Sequence, residues 1–188
     1  MGLLVPPPWL LIASPEMSDD FFSQGVFLMM EHDSEGSIAF LINRRCHENL
    51  DEVLKHGHDI PEDIPTWFGG PAEADRGLIL TCKRASKEDD ELTQDCYIST
   101  APDTIQKLVK HRGQSNREIR HAYRFISGYT AWDAGHLDLE IRKGTWMVIP
   151  YNQDLVFNTS TGKMWQKAIE SIGFPPAKMF SQTAKDLH

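Results

Sequence analysis

The chain has 188 residues, of which 40% are hydrophobic and 24% are charged, and its formal net charge is −8 at pH 7. These values are typical of one globular domain and exclude a disordered or fibrous chain. The acidic balance also argues against direct binding to the nucleic-acid backbone, which needs a basic face. We therefore expect a single domain over residues 1–188, with flexible ends at 1–8 and 181–188.

The amino terminus is apolar but is interrupted by three consecutive prolines at residues 6–8. It has no basic region ahead of the apolar run, and the run is far shorter than the roughly 20 residues of a membrane span. Residues 1–13 are therefore predicted to lead into a strand or loop, with no membrane association. The three cysteines, Cys46, Cys82 and Cys96, lack a CxxC spacing. Reduced thiols and a cytoplasmic location are expected.

Two apolar, β-prone runs come next, at residues 25–30 and 37–42, with a polar turn at 32–36 between them. Continuous apolar runs of this length are typical of strands buried on both faces, so we predict a hairpin. After it, Asn49 is positioned to cap a helix that Gly57 ends. Residues 57–65 and 83–95 are predicted to be surface connections.

Further strands are predicted at residues 67–68, 78–80, 96–98, 123–126 and 145–149. Apolar residues at helical spacing predict one helix around Ile105 and another from Trp165 to Ile172, ended by Gly173. Residues 137–142 are ambiguous: their alternation indicates a strand, whereas Asp133 as a cap and Gly144 as an end indicate a helix. The irregular mixture of strands and helices favours an α+β fold.

The first motif with chemical potential is Trp67-Phe-Gly-Gly-Pro-Ala-Glu-Ala-Asp-Arg-Gly77. Gly69 and Gly70 permit close backbone approach, and their amides could bind an anion or a carbonyl oxygen beside Arg76. The motif matches neither the phosphate-loop pattern nor the dinucleotide fingerprint. The alternative is a tight turn between strands, held by Asp75 and Arg76.

The second motif runs from Gly128 to His136 and contains Tyr129 and Trp132. Two aromatic residues among glycines can form the walls of a pocket; alternatively, they are core residues whose polar atoms each need one partner. We therefore treat the following as candidate ligand-binding residues: Gly69, Gly70, Asp75, Arg76, Tyr129, Trp132 and His136.

Evidence for catalysis is weaker. Cys46 is a possible reactive thiol because Arg44, Arg45 and His47 would favour its thiolate. His32 could act as a base, but the sequence pairs no nucleophile with it. The pair His56-Gly-His58 matches no metal-site spacing and is better interpreted as a loop. No catalytic residue, metal or cofactor is therefore assigned.

Taken together, these motifs resemble the AlgH/YqgE family of bacterial proteins over nearly the whole chain. The matching pieces are Ala13-Ser-Pro15 with Asp20, Phe21 or Phe22 and Val26; His32, Gly36 and Asn43; Gly69-Gly70-Pro71 with residues 75–80; Gly128-Tyr129, Trp132, Gly135, Leu137, Glu140 and Trp146; and Trp165 with Ala168.

The resemblance implies a bifurcated or barrel-like sheet flanked by helices, and a helix at residues 135–143. Two positions depart from the family, which usually has glutamine at His136 and histidine at Thr81. Members have been labelled transcriptional regulators, although no basic recognition helix is evident in this chain. The resemblance implies no established catalytic residue.

Three functions follow, in order of preference. The first is a non-catalytic module that binds a small molecule or a protein, with a regulatory role, and it predicts that Gly70, Arg76, Tyr129 and Trp132 surround one concave surface. The second is a hydrolase or thiol-dependent enzyme that uses Cys46 or His32. The third is a regulator that acts through DNA.

Overall fold

The computed structural model describes residues 6–46, 66–84, 86–100 and 123–173. In chain order, its elements are β1 (Trp9–Ala13), β2 (Val26–His32), β3 (Gly36–Leu41), β4 (Thr66–Phe68), β5 (Ala72–Thr81), β6 (Asp90–Thr93), β7 (Cys96–Ser99), β8 (Tyr123–Asp133), α1 (His136–Arg142), β9 (Trp146–Pro150), a π-helical turn (Asp154–Asn158) and α2 (Thr161–Ser171).

The strands form one curled, mainly antiparallel half-barrel in the order β6-β7-β5-β8-β3-β2-β1-β9, and β4 joins it by pairing with β8. The sheet branches at β8. The second half of β8 pairs antiparallel with β3, whereas Phe125–Ser127 of its first half pair in parallel with β4. Strand β5 pairs antiparallel with β8 as well. The expected α+β fold with a bifurcated, barrel-like sheet is confirmed.

The hairpin of β2 and β3 is buried on both faces, as its apolar runs predicted. Side chains of successive strand residues point to opposite faces. Accordingly Phe27 and Met29 join one core cluster, with α1, whereas Val26 and Leu28 join the other, with α2. The same division holds in β1, where Leu10 and Leu11 belong to different clusters. The central strands therefore separate two cores, each covered by a helix.

Helix α2 lies where the spacing of its apolar residues predicted it. Met164, Ala168 and Ile169 are buried in the core, and the indole N–H of Trp165 donates to the carbonyl oxygen of Ala13 at 2.8 Å. This bond attaches the helix to the end of β1. Helix α2 begins at Thr161, and its first turns lie beside the residues that follow β1.

Helix α1 resolves the ambiguity of residues 137–142 in favour of the helix, as the family resemblance implied. A strand would have placed Leu137, Leu139 and Ile141 on one face; instead Leu137 is buried and Leu139 is 49% exposed. The proposed cap at Asp133 is wrong. That residue ends β8, and the helix is preceded by Gly135, whose φ of +71° is left-handed.

The connection predicted at residues 83–95 is wrong in part, because it contains β6. This strand pairs with β7 at the edge of the sheet, and charged residues are tolerated there because one side of the strand faces solvent. The predicted helices at Asn49 and Ile105, the loop at 57–65 and the terminal segments 1–5 and 181–188 lie outside the described residues.

Candidate functional site

Gly69 and Gly70 lie between β4 and β5, pressed against the backbone of β8. A Cβ atom at Gly69 would stand 2.2 Å from the carbonyl oxygen of Gly128, and one at Gly70 would stand 2.2 Å from the carbonyl carbon of Tyr129. Gly128 faces them, with a hypothetical Cβ 2.3 Å from the oxygen of Gly70. These three positions require glycine because the two backbones touch.

The backbone of Gly69 is occupied within the protein. Its N–H donates to Ser127 at 2.7 Å, and its carbonyl oxygen accepts from the N–H of Leu41 and the hydroxyl of Thr130, at 2.9 and 3.2 Å. The amide of Gly69 is therefore already bonded and is not offered to an anion. The geometry favours the turn between strands over the anion-binding alternative for this residue.

Where β5 pairs with β8, three of the candidate residues lie near one another: Gly70, Arg76 and Tyr129. Tyr129 pairs with Ala72, close to Gly70, and its hydroxyl donates to Glu73 at 3.4 Å. Glu73 in turn binds the guanidinium of Arg76 at 2.8 Å. Arg76 is 78% exposed, so this ion pair contributes little stability. Asp75 is exposed on the same strand.

Trp132 packs on the other side of the sheet from Tyr129. Tyr129 contacts the core cluster that includes α2, whereas Trp132 contacts the cluster that includes α1. The indole N–H of Trp132 donates to Glu140 at 2.9 Å, and that of Trp146 donates to the same carboxylate oxygen at 2.7 Å. His136 is exposed at the start of α1. The geometry thus divides the predicted candidate residues between two faces.

His32 lies within the protein, with polar neighbours on both sides of its ring. Its Nδ1 is 2.8 Å from the hydroxyl oxygen of Ser37, and its Nε2 is 3.7 Å from a carboxylate oxygen of Asp138 on α1. The ring also meets Trp9 edge-on, with centroids 5.6 Å apart. The side chain of His32 is only 7% exposed, so its main role is to connect the hairpin to α1.

The arginines beside Cys46 are engaged elsewhere. Arg44 donates to the carbonyl oxygen of Ser23, and the guanidinium of Arg45 lies over the ring of Trp67. His47 lies outside the described residues. A reactive Cys46 stays a prediction, without direct support from these contacts.

Cys96 is expected to make the protein less stable in alkali. Burial raises the pKa of its thiol from 9.0 to about 11, so the unfolded chain loses this proton at a lower pH than the folded chain does. The free energy of unfolding should therefore fall between pH 9 and pH 11, by about 2 kcal/mol from this thiol. Urea titrations across this range should show a shallower fall for Cys96→Ala. Equal slopes in the two proteins would contradict the assignment.

A polar cavity of about 420 Å³ opens at the end of the sheet where β1 and β3 end and β2 begins; we call it the strand-end cavity. It is bounded by the residues that follow β1, those that precede β2, those that follow β3 and the first turns of α2. Its lining residues are Ser14, Pro15, Met17, Ser23, Gln24, Asn43, Arg44, Thr161, Gly162, Trp165 and Gln166.

Hydrogen bonds hold the rim of the strand-end cavity in place. The side chain of Asn43 accepts from the N–H of Val26 at 2.9 Å and donates to the carbonyl oxygen of Gln24 at 2.8 Å. A Cβ at Gly162 would meet nothing within 4 Å, so the first turn of α2 leaves space above it. The cavity is thus lined by polar groups on a pre-formed frame.

This cavity was not predicted from the sequence. Four separate segments build it, and no one of them carries a recognisable motif. The family resemblance nevertheless included residues that line it, namely Ser14, Pro15, Asn43 and Trp165. The available signal was polar residues soon after two apolar strands, Ser14 after β1 and Asn43 after β3.

Within the described ranges, no group of three or more histidine, cysteine, aspartate or glutamate residues is arranged to hold a metal ion. None of the helices in the same residues has the length and apolar character needed to cross a bilayer.

Comparison with known proteins gives a consistent result. The family model described as AlgH-like matches residues 10–177. A UPF0301 protein of Vibrio cholerae is 30% identical over 181 residues, covering 91% of this chain and 94% of its own, and one of Shewanella loihica is 31% identical over 180 residues, covering 92% and 94%. The solution structure of the AlgH protein from Pseudomonas aeruginosa has a TM-score of 0.71 at 25% identity, over 96% of this chain and 97% of that one.

Proposed function

This chain belongs to the AlgH-like family, and on that premise we propose that it is a non-catalytic module that binds a small polar ligand in the strand-end cavity. The observation that carries the proposal is the cavity itself. At about 420 Å³ it lies within the range of small-molecule sites, and its hydroxyl, amide and guanidinium groups can orient a ligand.

The ligand is expected to be polar. Hydroxyl groups of Ser14, Ser23 and Thr161 and the amides of Asn43 and Gln166 line the cavity, with Trp165 as an apolar wall. A ligand that offers both donors and acceptors can bond the hydroxyl groups of Ser14, Ser23 and Thr161, whereas a purely apolar ligand would displace water from them without replacing its hydrogen bonds. The Asn43 amide is already bonded to Val26 and Gln24 and forms part of the frame. Metabolites with several hydroxyl or amide groups fit this lining.

The proposal extends to a regulatory role in the cytoplasm. All three cysteines are free, which is typical of proteins in a reducing compartment. Occupancy of the cavity would fix the loops that follow β1 and β3, and these loops would then present a different surface to a protein partner. Regulation through protein contacts is also compatible with the acidic charge, which disfavours DNA.

Blocking the cavity is expected to abolish ligand retention. In Gly162→Trp the indole would enter the open space above α2 without a clash at Cβ. The protein would be incubated with a small-molecule extract of its host and weighed by native mass spectrometry. The wild type should retain an added mass, and the variant should lose at least nine-tenths of it.

The matched control is Lys163→Trp, at the next and exposed position of the same helix, which does not line the cavity. It should retain the ligand as the wild type does. Equal retention by Gly162→Trp, or no added mass on the wild type, would contradict the proposal.

A hydrolase is the second candidate, and one observation favours it. The two nitrogens of the His32 ring lie beside the hydroxyl of Ser37 and a carboxylate oxygen of Asp138, respectively. A serine next to a histidine that also has a carboxylate partner is the arrangement used for nucleophilic catalysis. A fluorophosphonate probe distinguishes the two functions. In a hydrolase the Ser37 hydroxyl would pass its proton to His32, its oxygen would form a bond to the probe's phosphorus as fluoride leaves, and the protein would gain the mass of the probe less HF; a binding module would stay unlabelled.

A further inference from the structure

A second polar feature surrounds Trp67 on β4 and is separate from the strand-end cavity. Trp67 is 7% exposed, and its indole N–H is buried with no hydrogen-bond acceptor among the residues that the structure describes. A buried donor without a partner is costly, and such groups are few in native proteins. Within the described ranges the indole N–H is thus a free donor, and it can serve an acceptor on a bound molecule.

Two guanidinium groups lie over the same indole ring. Arg124 on β8 is 5.0 Å from the ring centroid and only 5% exposed, whereas Arg45 is 5.8 Å from it and exposed. Each distance is within the range of a cation–π contact. A buried cation and an accessible one thus both lie within 6 Å of the centre of this ring.

Neither cation is neutralised by the residues that the structure describes. Arg124 donates to the carbonyl oxygens of Val156 and Thr159, which orient it but carry no net charge. No carboxylate of the described ranges forms an ion pair with it or with Arg45. Burial, and then the neighbouring charge of Arg45, lower the pKa of Arg124 to about 10, so it remains a cation at neutral pH.

We propose that Arg45, Trp67 and Arg124 form a binding site for the oxyanion group of a small molecule, a phosphate or a carboxylate. Guanidinium groups donate charge-assisted hydrogen bonds to such oxygens, and the indole N–H supplies one more donor. An oxyanion also relieves the repulsion between the two cations. The chain as a whole repels anions, because its net charge is −8, so the attraction must be local.

Isothermal titration of the full chain with inorganic phosphate, and separately with succinate, tests the site at constant ionic strength. Arg45→Gln is the main variant because Arg45 is exposed, so its loss does not disturb the core. It should weaken binding about tenfold by removing a charge-assisted bond. Trp67→Phe keeps an aromatic ring but removes the N–H, and it should weaken binding as well.

The matched control is Arg84→Gln. Arg84 is also exposed and lies over an aromatic ring, that of Tyr97 at 6.0 Å, so the variant removes the same charge and the same kind of contact elsewhere. It should bind within twofold of the wild type, as should Gly162→Trp, which separates this site from the strand-end cavity.

The two anions separate the two sources of an oxyanion. Binding of phosphate alone assigns a phosphate group, and binding of succinate alone assigns a carboxylate; both results support the site. Binding of neither anion, unchanged affinity in Arg45→Gln, or an equal loss in Arg84→Gln would overturn it.

Discussion

Replacing Gly70 with alanine is expected to lower the free energy of unfolding by about 4 kcal/mol, among the largest effects of a single substitution. The new Cβ would stand 2.2 Å from the carbonyl carbon and 2.3 Å from the carbonyl oxygen of Tyr129. Both are backbone atoms, so no side chain can rotate away, and β8 would have to move. Urea denaturation followed by circular dichroism measures the loss.

Two other glycines separate the causes of this effect. Gly135 has a left-handed φ of +71° but open space around it, so Gly135→Ala should cost only about 1 kcal/mol, the penalty of the backbone conformation. Gly162 has open space without a left-handed φ, and Gly162→Ala should be nearly neutral or slightly stabilising. If Gly70→Ala lowers the free energy of unfolding no more than Gly135→Ala does, the backbones of Gly70 and β8 do not touch as described.

Replacing Glu140 with alanine is expected to cost about 3 kcal/mol, because one carboxylate oxygen accepts from two indoles. The N–H groups of Trp132 and Trp146 lie 2.9 and 2.7 Å from this oxygen, and Trp146 is buried. Without Glu140, both donors would lose their acceptor. Glu140→Gln retains an oxygen that can accept, and should cost about 1 kcal/mol.

Unfolding in urea, followed by tryptophan fluorescence, would measure both variants. Glu170→Ala is the control, because Glu170 is an exposed glutamate on α2 and its loss should change stability by less than about 0.5 kcal/mol. If Glu140→Ala is as stable as this control, the carboxylate does not hold the two indoles. Trp132 would then be free to serve a ligand.

The hairpin of β2 and β3 could be predicted because its signal is local. Each strand is one continuous apolar run, and the turn residues lie between the runs. Helix α1 shows the limit of such signals. Leu137, Leu139 and Ile141 fit the period of a strand, whereas only Leu137 and Ile141 fit that of a helix, and packing against the sheet decided which side chains are buried.

The candidate sites depended on contacts that the sequence does not display. Gly69 and Gly70 were recognised as sites of close backbone approach, but their partner, Gly128, is 58 residues beyond Gly70. The strand-end cavity is built from four segments brought together by the order of the strands. The contact of the Arg124 guanidinium with the Trp67 ring likewise follows from the parallel register of β4 and β8. Such juxtapositions arise from topology, which local patterns do not encode.

The pairing of early strands with late ones has a consequence during synthesis. Ala39 of β3 pairs with Thr130 of β8, and Leu11 of β1 pairs with Val148 of β9. Closing loops of this length is slow, and the apolar faces of the hairpin have no cover until then. Before β8 and β9 have been synthesised, the nascent chain therefore exposes apolar strands that lack their pairing partners. Such a nascent chain is a natural client for a chaperone at the exit tunnel.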